Sequence, residues 1–361
     1  MSVSATIVGI GTALPSHRID RADAEVFTQG FCCETDEQRR TLSALFRRSG
    51  ISSRRSVLLA SSEGDLALRQ NFYGATSPTT AERMTAYEEH AWPLAVLAAT
   101  SAMDDGGIDP DCLTHLVTVS CSGFSAPGFD QKLIRTMNLP LGIARTHLGF
   151  MGCHAMLNGL RVARAFAGSD PSACILLVAV ELCSLHYQYG WHPERVVANA
   201  LFSDGAAAMV VRPSTEVPRP GHSRILADGS MLIPECAEAM SWRIADHGFT
   251  MTLSPEVPDR IAEHVRPWLV NWLGRHGRSI ESIGSWAVHP GGPRILSAFA
   301  EAVGLDRDKL DASSAILAEC GNMSSPTIAF IIRRLRDAGA PRPCLAIGFG
   351  PGLAIEAVLL D

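Results

Sequence analysis

The most constraining feature of the chain is a pattern that recurs at a fixed distance. His115–Ser120 is a short apolar run of strand type ending beside Cys121, and Ser285–His289 is another, ending at His289. Gly152-Cys153 opens one helical run and Gly321-Asn322 a second; Cys174–Val178 and Cys344–Gly348 are strands that follow them. Ser120 and His289 lie 169 residues apart, as do Cys153 and Asn322, and Cys174 and Cys344 lie 170 apart. A shared offset of this kind points to two copies of one supersecondary plan. A chain of 361 residues is long for one compact core and suits two halves of similar size. In such a duplication Cys153, His289 and Asn322 occupy related element ends, which would meet near a pseudo-dyad.

The rest of the chain keeps to the same grammar of short apolar runs alternating with longer helical patterns, which reads as α/β. Further strands are expected at Ser4–Gly9, Ala173–Val180, Ala206–Val211 and Leu353–Leu359. Thr79-Thr80-Ala81-Glu82 has the form of a capping box, and Pro93 should kink or interrupt the helix it opens. Ile261, Val265, Trp268, Leu269 and Trp272 follow helical spacing, predicting an amphipathic helix from Pro258 to Arg275. Pro213–Gly221, with three prolines and a glycine, is the linker candidate.

Composition excludes several classes. With 47% hydrophobic and 19% charged residues the chain can bury a large core, as a globular enzyme does. Its net charge of -6 provides no basic stripe for nucleic acid, and 6% aromatics provide no base-stacking platform. The first residues show neither a positive run nor an apolar signal core, and runs such as Cys174–Val180 are too short to span a bilayer. The ten cysteines form no disulfide framework and no zinc spacing. Reduced thiols in a cytoplasmic protein are therefore expected, with any special cysteine being catalytic.

Three residues stand out chemically. Cys153 follows a glycine just before the helical run Met156–Phe166, where unpaired N–H groups and partial positive charge favour a thiolate; the plainer reading is a small buried hydrophobe. His289 ends a buried strand and is followed by Pro290-Gly291-Gly292-Pro293; the plainer reading is a hydrogen-bonded strand-end histidine. Asn322 precedes the run Thr327–Leu335, where the plainer reading is an ordinary N-cap. Gly348-Phe349-Gly350-Pro351-Gly352 lies between two strands with no helix after it, so it reads as a tight connection able to shape a cavity wall. Gly9-Ile10-Gly11 leads to Pro15 rather than to a helix, so it is no dinucleotide fingerprint.

A cysteine at a helix start, a histidine at a strand end and an asparagine at a second helix start, in that order, resemble the condensing enzymes of the thiolase-like superfamily. Within it the chain resembles the type III polyketide synthases, the chalcone synthase-like family. The likeness runs from Gly9 to Leu359 and is strongest at Gly152-Cys153, Ala200–Ala208, His289–Pro293, Gly321–Ser325 and Gly348–Leu353. It implies a five-layer αβαβα thiolase-like fold with two pseudo-duplicated halves, 1–213 and 222–361, in a homodimer. It implies iterative condensation of malonyl-CoA onto an acyl-CoA starter, then cyclisation to a pyrone or phenolic product, with no metal, flavin or nicotinamide cofactor. By the same resemblance Cys153 would carry the starter. His289 would hold Cys153 as a thiolate, and with Asn322 would form an oxyanion hole. Phe202 would stand where the coenzyme A tunnel meets the cavity, and Ser324 would touch substrate.

The departures from the plant pattern carry information too. Met251 falls where plant members have a second gatekeeping phenylalanine, and Trp242 falls near a usual glycine. Cys121 replaces a threonine, a feature resembling the bacterial branch, and Ala126 replaces a methionine that crosses the plant dimer interface. These changes favour an aliphatic starter over a coumaroyl ring. Among Arg47, Arg48, Arg54 and Arg55, which could meet coenzyme A phosphates, Arg48 aligns with a family lysine contact. Two other readings stay open: a ketoacyl-carrier-protein synthase III making one condensation, and a silent acyl-CoA-binding homologue.

Overall fold

The structure is a computed structural model that describes residues 4–215 and 219–361. The first half runs β1 (Ser4–Ala13), β2 (Arg18–Asp20), α1 (Arg21–Cys32), α2 (Asp36–Arg48), β3 (Ser53–Arg55), α3 (Thr80–Gly106), β4 (His115–Ser120), α4 (Phe129–Thr136), β5 (Ala144–Gly149), α5 (Ala155–Ser169), β6 (Ile175–Leu182), α6 (Pro193–Leu201) and β7 (Asp204–Ser214). The second runs β8 (Ser223–Leu232), β9 (Met240–Ala245), β10 (Gly248–Leu253), α7 (Val257–Arg275), β11 (Ser285–Val288), α8 (Pro293–Val303), α9 (Asp311–Cys320), α10 (Thr327–Asp337), β12 (Cys344–Gly350) and β13 (Ala354–Leu360). Of the stretch 213–221, Pro213 and Ser214 end β7, while residues 216–218 lie outside the described residues.

The recurrent pattern is a recurrent topology. One half-sheet is ordered β5-β4-β6-β7-β1 and the other β11-β12-β13-β8. β4 and β6 are parallel, as are β11 and β12; the following pairs are antiparallel in both halves. The two half-sheets join where Thr6 and Ile7 pair with Arg224 and Ser223.

Alternate side chains of each strand feed different layers. Val117, Ile175, Leu177, Ala207 and Met209 from one half-sheet, and Ala287, Ala346 and Val358 from the other, close on a shared middle layer of α5 and α10. The opposite face of the first half-sheet, through Leu116, Leu176 and Val178, packs on α3 and α4. The opposite face of the second, through Leu345, Ile347 and Ile355, packs on α7 and α8. The order helix, sheet, helix, sheet, helix gives the five layers expected. Each fully buried Leu or Ile adds roughly 1.5–3 kcal/mol.

One local expectation needs correction. The capping box forms, with Thr79 and Glu82 satisfying each other's amides, but Pro93 does not end the helix, which continues to Gly106. Its missing N–H orphans a carbonyl on the exposed side at Glu89, while Ala91, Leu94, Ala95, Ala98 and Ala102 hold the other side against the sheet. Gly9 and Gly11 belong to this packing: a Cβ at either would collide with the backbone of Ala102 or Ala98.

Candidate active site

Cys153 sits in a single 3-10 turn, Gly152–His154, which leads directly into α5. Gly152 has φ +66°, and a Cβ on it would strike the Pro351 ring. Pro351, in the connection between β12 and β13, therefore presses on the turn that carries the cysteine, while Gly348 and Gly350, expected in that connection, belong to β12. His289 follows β11 directly, and its N–H donates to Ile347 O at 2.8 Å. The imidazole is 1% exposed, and among the described residues neither ring nitrogen has a hydrogen-bond partner. The charge of His154, the neighbour of Cys153, reaches it.

Asn322 is not at a helix start. α10 begins at Thr327 behind a Pro326 cap. Asn322 instead lies in the connection after α9 and forms an isolated parallel bridge with Phe202. Its N–H donates to Leu201 O, and Ser203 N–H donates to its carbonyl, each at 2.9 Å. The side-chain Oδ1 accepts from Ser324 N at 2.8 Å, while Nδ2 makes no hydrogen bond of ordinary geometry among the described residues. The ordinary N-cap reading is thereby excluded, and a buried amide donor is left aimed at the thiol side.

The site is dry, and dryness dominates its charges. Burial pushes the Cys153 thiol up to about 11; the Ser324 hydroxyl and the Asn322 amide pull the other way, and the Glu181 charge adds to the rise. Burial, with the charge of His154, pushes His289 down to about 3. At neutral pH the resting pair is thiol and neutral imidazole. The helix start was expected to favour a thiolate, but the short turn's partial charge, worth about 1 kcal/mol, is outweighed by desolvation.

Glu181, at the end of β6, was missed in the sequence. Its carboxylate is fully buried and accepts from Cys121 N, Ser122 N and Oγ, and Ser325 Oγ at 2.7–3.1 Å. It ties the end of β4 to the Asn322 loop. A lone carboxylate in the apolar run Ile175–Leu182 was the available signal. Cys121 Sγ lies 3.6 Å from Ser324 Oγ, so Ser324 stands beside both thiols. Burial and the Glu181 charge push the Cys121 thiol well up.

Trp242 and Met251 are cross-strand partners in the β9–β10 hairpin. The Trp242 indole N–H donates to Cys121 O at 2.6 Å, so this side chain meets the site and does not turn into the core. Its ring meets His186 and Phe249 edge-on, and those two stack with centroids 4.3 Å apart. Phe202, Trp242, Met251 and His186 enclose a cavity of about 20 Å³. His186 also went unrecognised: it sits in a 3-10 turn with no distinctive neighbours.

On the other side of Leu201 a cavity of about 740 Å³ opens, lined by Arg48, Leu201 and the Gly291–Ile295 segment. Arg54 is unavailable for phosphates: it is buried and donates to Asn199 O and Ala200 O at 2.8 Å. Arg55 is likewise engaged, with Pro15 O and Ser16 O. Arg47 is exposed at the end of α2 and is not among the residues lining this cavity.

Comparison with known proteins places this architecture. "Alpha-pyrone synthesis polyketide synthase-like Pks18" of Mycobacterium tuberculosis is 29% identical over 99% of this chain and 91% of its own. "1,3,6,8-tetrahydroxynaphthalene synthase" of Streptomyces peucetius is 30% identical over 98% of this chain and 92% of its own. "Polyketide synthase 37" of Dictyostelium discoideum is 31% identical over 77% of this chain, which spans only 10% of that protein. The crystal structure of PKS-I from the brown alga Ectocarpus siliculosus superposes with a TM-score of 0.94 at 28% identity, covering 100% of this chain and 99% of that one. Residues 2–214 match the family "Chalcone and stilbene synthases, N-terminal domain", and residues 225–361 match its C-terminal domain. The chain belongs to the chalcone and stilbene synthase family and is a type III polyketide synthase, an acyltransferase of the decarboxylating condensing kind.

Proposed function

We propose that the protein extends an acyl-CoA starter with malonyl-CoA through a thioester on Cys153. The observation that carries this reading is that His289 and Asn322 are buried with side-chain nitrogens unpartnered among the described residues, and that the Asn322 amide acts on the buried Cys153 thiol. Fixed donors in a dry site are worth roughly 3–4 kcal/mol each toward a developing oxyanion. In loading, His289 takes the thiol proton as sulfur attacks the starter carbonyl, then returns it to the departing coenzyme A thiolate. In extension, malonyl-CoA loses carbon dioxide, and the electron pair left behind becomes an enolate stabilised by His289 and Asn322. The enolate carbon attacks the Cys153 thioester and expels the cysteine thiolate, giving a chain two carbons longer on coenzyme A. The chemistry draws its carbanion from decarboxylation and requires no metal or redox cofactor.

The starter is an aliphatic acyl group. The Trp242, His186 and Phe249 rings crowd the space beyond Phe202, and a flexible chain threads there more easily than a rigid aromatic ring. A pyrone is the favoured product, as Pks18 is described for pyrone synthesis, with a phenolic ring as the other outcome.

The protein works as a homodimer. β5 is the edge strand of its half-sheet and is largely exposed. Phe124, Phe150 and Met151 beside it are 50%, 39% and 43% exposed, an apolar edge suited to a second copy. Radiolabelled malonyl-CoA with a panel of acyl-CoA starters tests the main reading. Products carrying several malonyl units support it, while a single extension made only from a carrier-protein thioester overturns it.

A further inference from the structure

The large cavity outside Leu201 has a charge pattern that the site itself does not explain. Leu45, Val197, Leu201, Leu253 and Ile295 give it an apolar shaft. Two arginines line it from separate elements, Arg48 in the last turn of α2 and Arg294 in the first turn of α8; among the described residues Glu194 is the one carboxylate in the lining. Among the described residues neither arginine makes an ion pair or side-chain hydrogen bond, and both are exposed. Their neighbours are spoken for: Arg260 pairs with Glu256 and Glu263, and Arg54 and Arg55 hold backbone carbonyls. The starts of α6, α7 and α8, at Pro193, Val257 and Pro293, also line the cavity and add partial positive charge.

The inner wall of the cavity adjoins the candidate reacting groups in the chain: Leu201 precedes Phe202, and Gly291 lies two residues after His289. Leu201 O accepts from Asn322 N, and Gly291 N donates to His289 O, so the walls are hydrogen-bonded to the residues that carry the chemistry. A ligand matched to this shape has an anionic end at the rim and a slim, weakly polar arm reaching inward. A coenzyme A thioester has that form, with phosphates at one end and a pantetheine arm at the other.

We propose that Arg294 is a phosphate-binding residue for the coenzyme A end of the substrate, acting with Arg48 as a two-arginine clamp at the mouth. This rests on the coenzyme A thioester reading above. Arg294 sets which carrier of the acyl group is accepted, because a thioester without phosphates gains nothing from it. Its guanidinium presents a planar fork that a lysine does not reproduce.

The test compares malonyl-CoA with malonyl N-acetylcysteamine, which keeps the thioester and lacks the phosphates. Arg294→Ala should raise KM for malonyl-CoA about tenfold, spare kcat, and shift KM for the short thioester less than about twofold. Arg294→Lys should recover part of the loss. Titration calorimetry with free coenzyme A decides the clamp separately from turnover, and Arg294→Ala should weaken that binding about tenfold. Unchanged coenzyme A binding, or equal losses on both thioesters, overturns the proposal. If the wild type condenses neither thioester, the condensation reading fails, and the calorimetry still decides whether Arg294 binds phosphate.

Discussion

Phe202 and Asn322 face each other in a parallel bridge outside both half-sheets, joining the end of α6 in one half to the connection after α9 in the other. The bridge uses only backbone, so it fixes Asn322 while leaving the amide Nδ2 free to act. Asn322→Ala should therefore fold normally and still load starter. Its release of carbon dioxide from malonyl-CoA should fall roughly a hundred- to thousandfold. Wild-type decarboxylation by this variant would show that the amide serves the loop alone.

Cys153→Ala should abolish covalent loading without loss of fold, since the substitution removes one small buried group. Intact mass spectrometry after incubation with a starter acyl-CoA should show one adduct on the wild type and none on the variant. An adduct of equal yield on the alanine variant would move the nucleophile elsewhere, with Cys121 the next thiol to examine.

The pH behaviour of the thiol follows from its burial. With Cys153 pushed up to about 11, a thiol that loses its proton only to solvent has a thiolate fraction rising about tenfold per pH unit below that value. In His289→Gln, inactivation by iodoacetamide should climb with that slope between about pH 7 and 9. In the wild type His289 receives the proton, so the profile should be flatter and the rate near pH 7 higher. Superimposable profiles would remove His289 from thiol activation.

Trp242 both fills space and anchors the hairpin to Cys121. Trp242→Gly should shift the starter preference toward bulkier acyl groups and destabilise the protein by about 3 kcal/mol, as loss of a large ring does. Trp242→Phe keeps most of the bulk and should keep the wild-type product profile. An unchanged profile for the glycine variant, or coumaroyl-CoA as the best wild-type starter, would refute the crowding argument.

Light scattering after size exclusion should give twice the 38.7 kDa chain mass, and Phe124→Asp, which puts a charge on the apolar edge, should shift the population toward monomer. A monomeric wild type at micromolar concentration would exclude the edge as an interface.

What could be read from the sequence was what punctuation and period mark. Cys153 and His289 stand beside glycines and prolines that stop one element and start another, and the apolar runs on either side fix the strands. Asn322 was seen but misplaced, because Ser324, Ser325 and Pro326 extend the connection before α10 in a way no period reveals. The continuity of α3 through Pro93 was decided by packing on the sheet, which local propensity does not encode. Glu181 and His186 were hidden for a different reason. Their importance lies in which distant groups they meet, Cys121, Ser325 and Phe249, and those meetings exist only after folding.

The shared order of the two half-sheets has a consequence for when activity arises. The turn before α5 and the connection before α10 hold matching places in the two copies, yet one carries sulfur and the other an amide. On the proposed mechanism neither copy owns a full set of reacting groups. A chain cut within the 213–221 stretch would yield two inert fragments, and competence would return only on their reassembly across the shared α5–α10 layer. Reactivity would thus belong to the assembled pair of halves and to neither half alone.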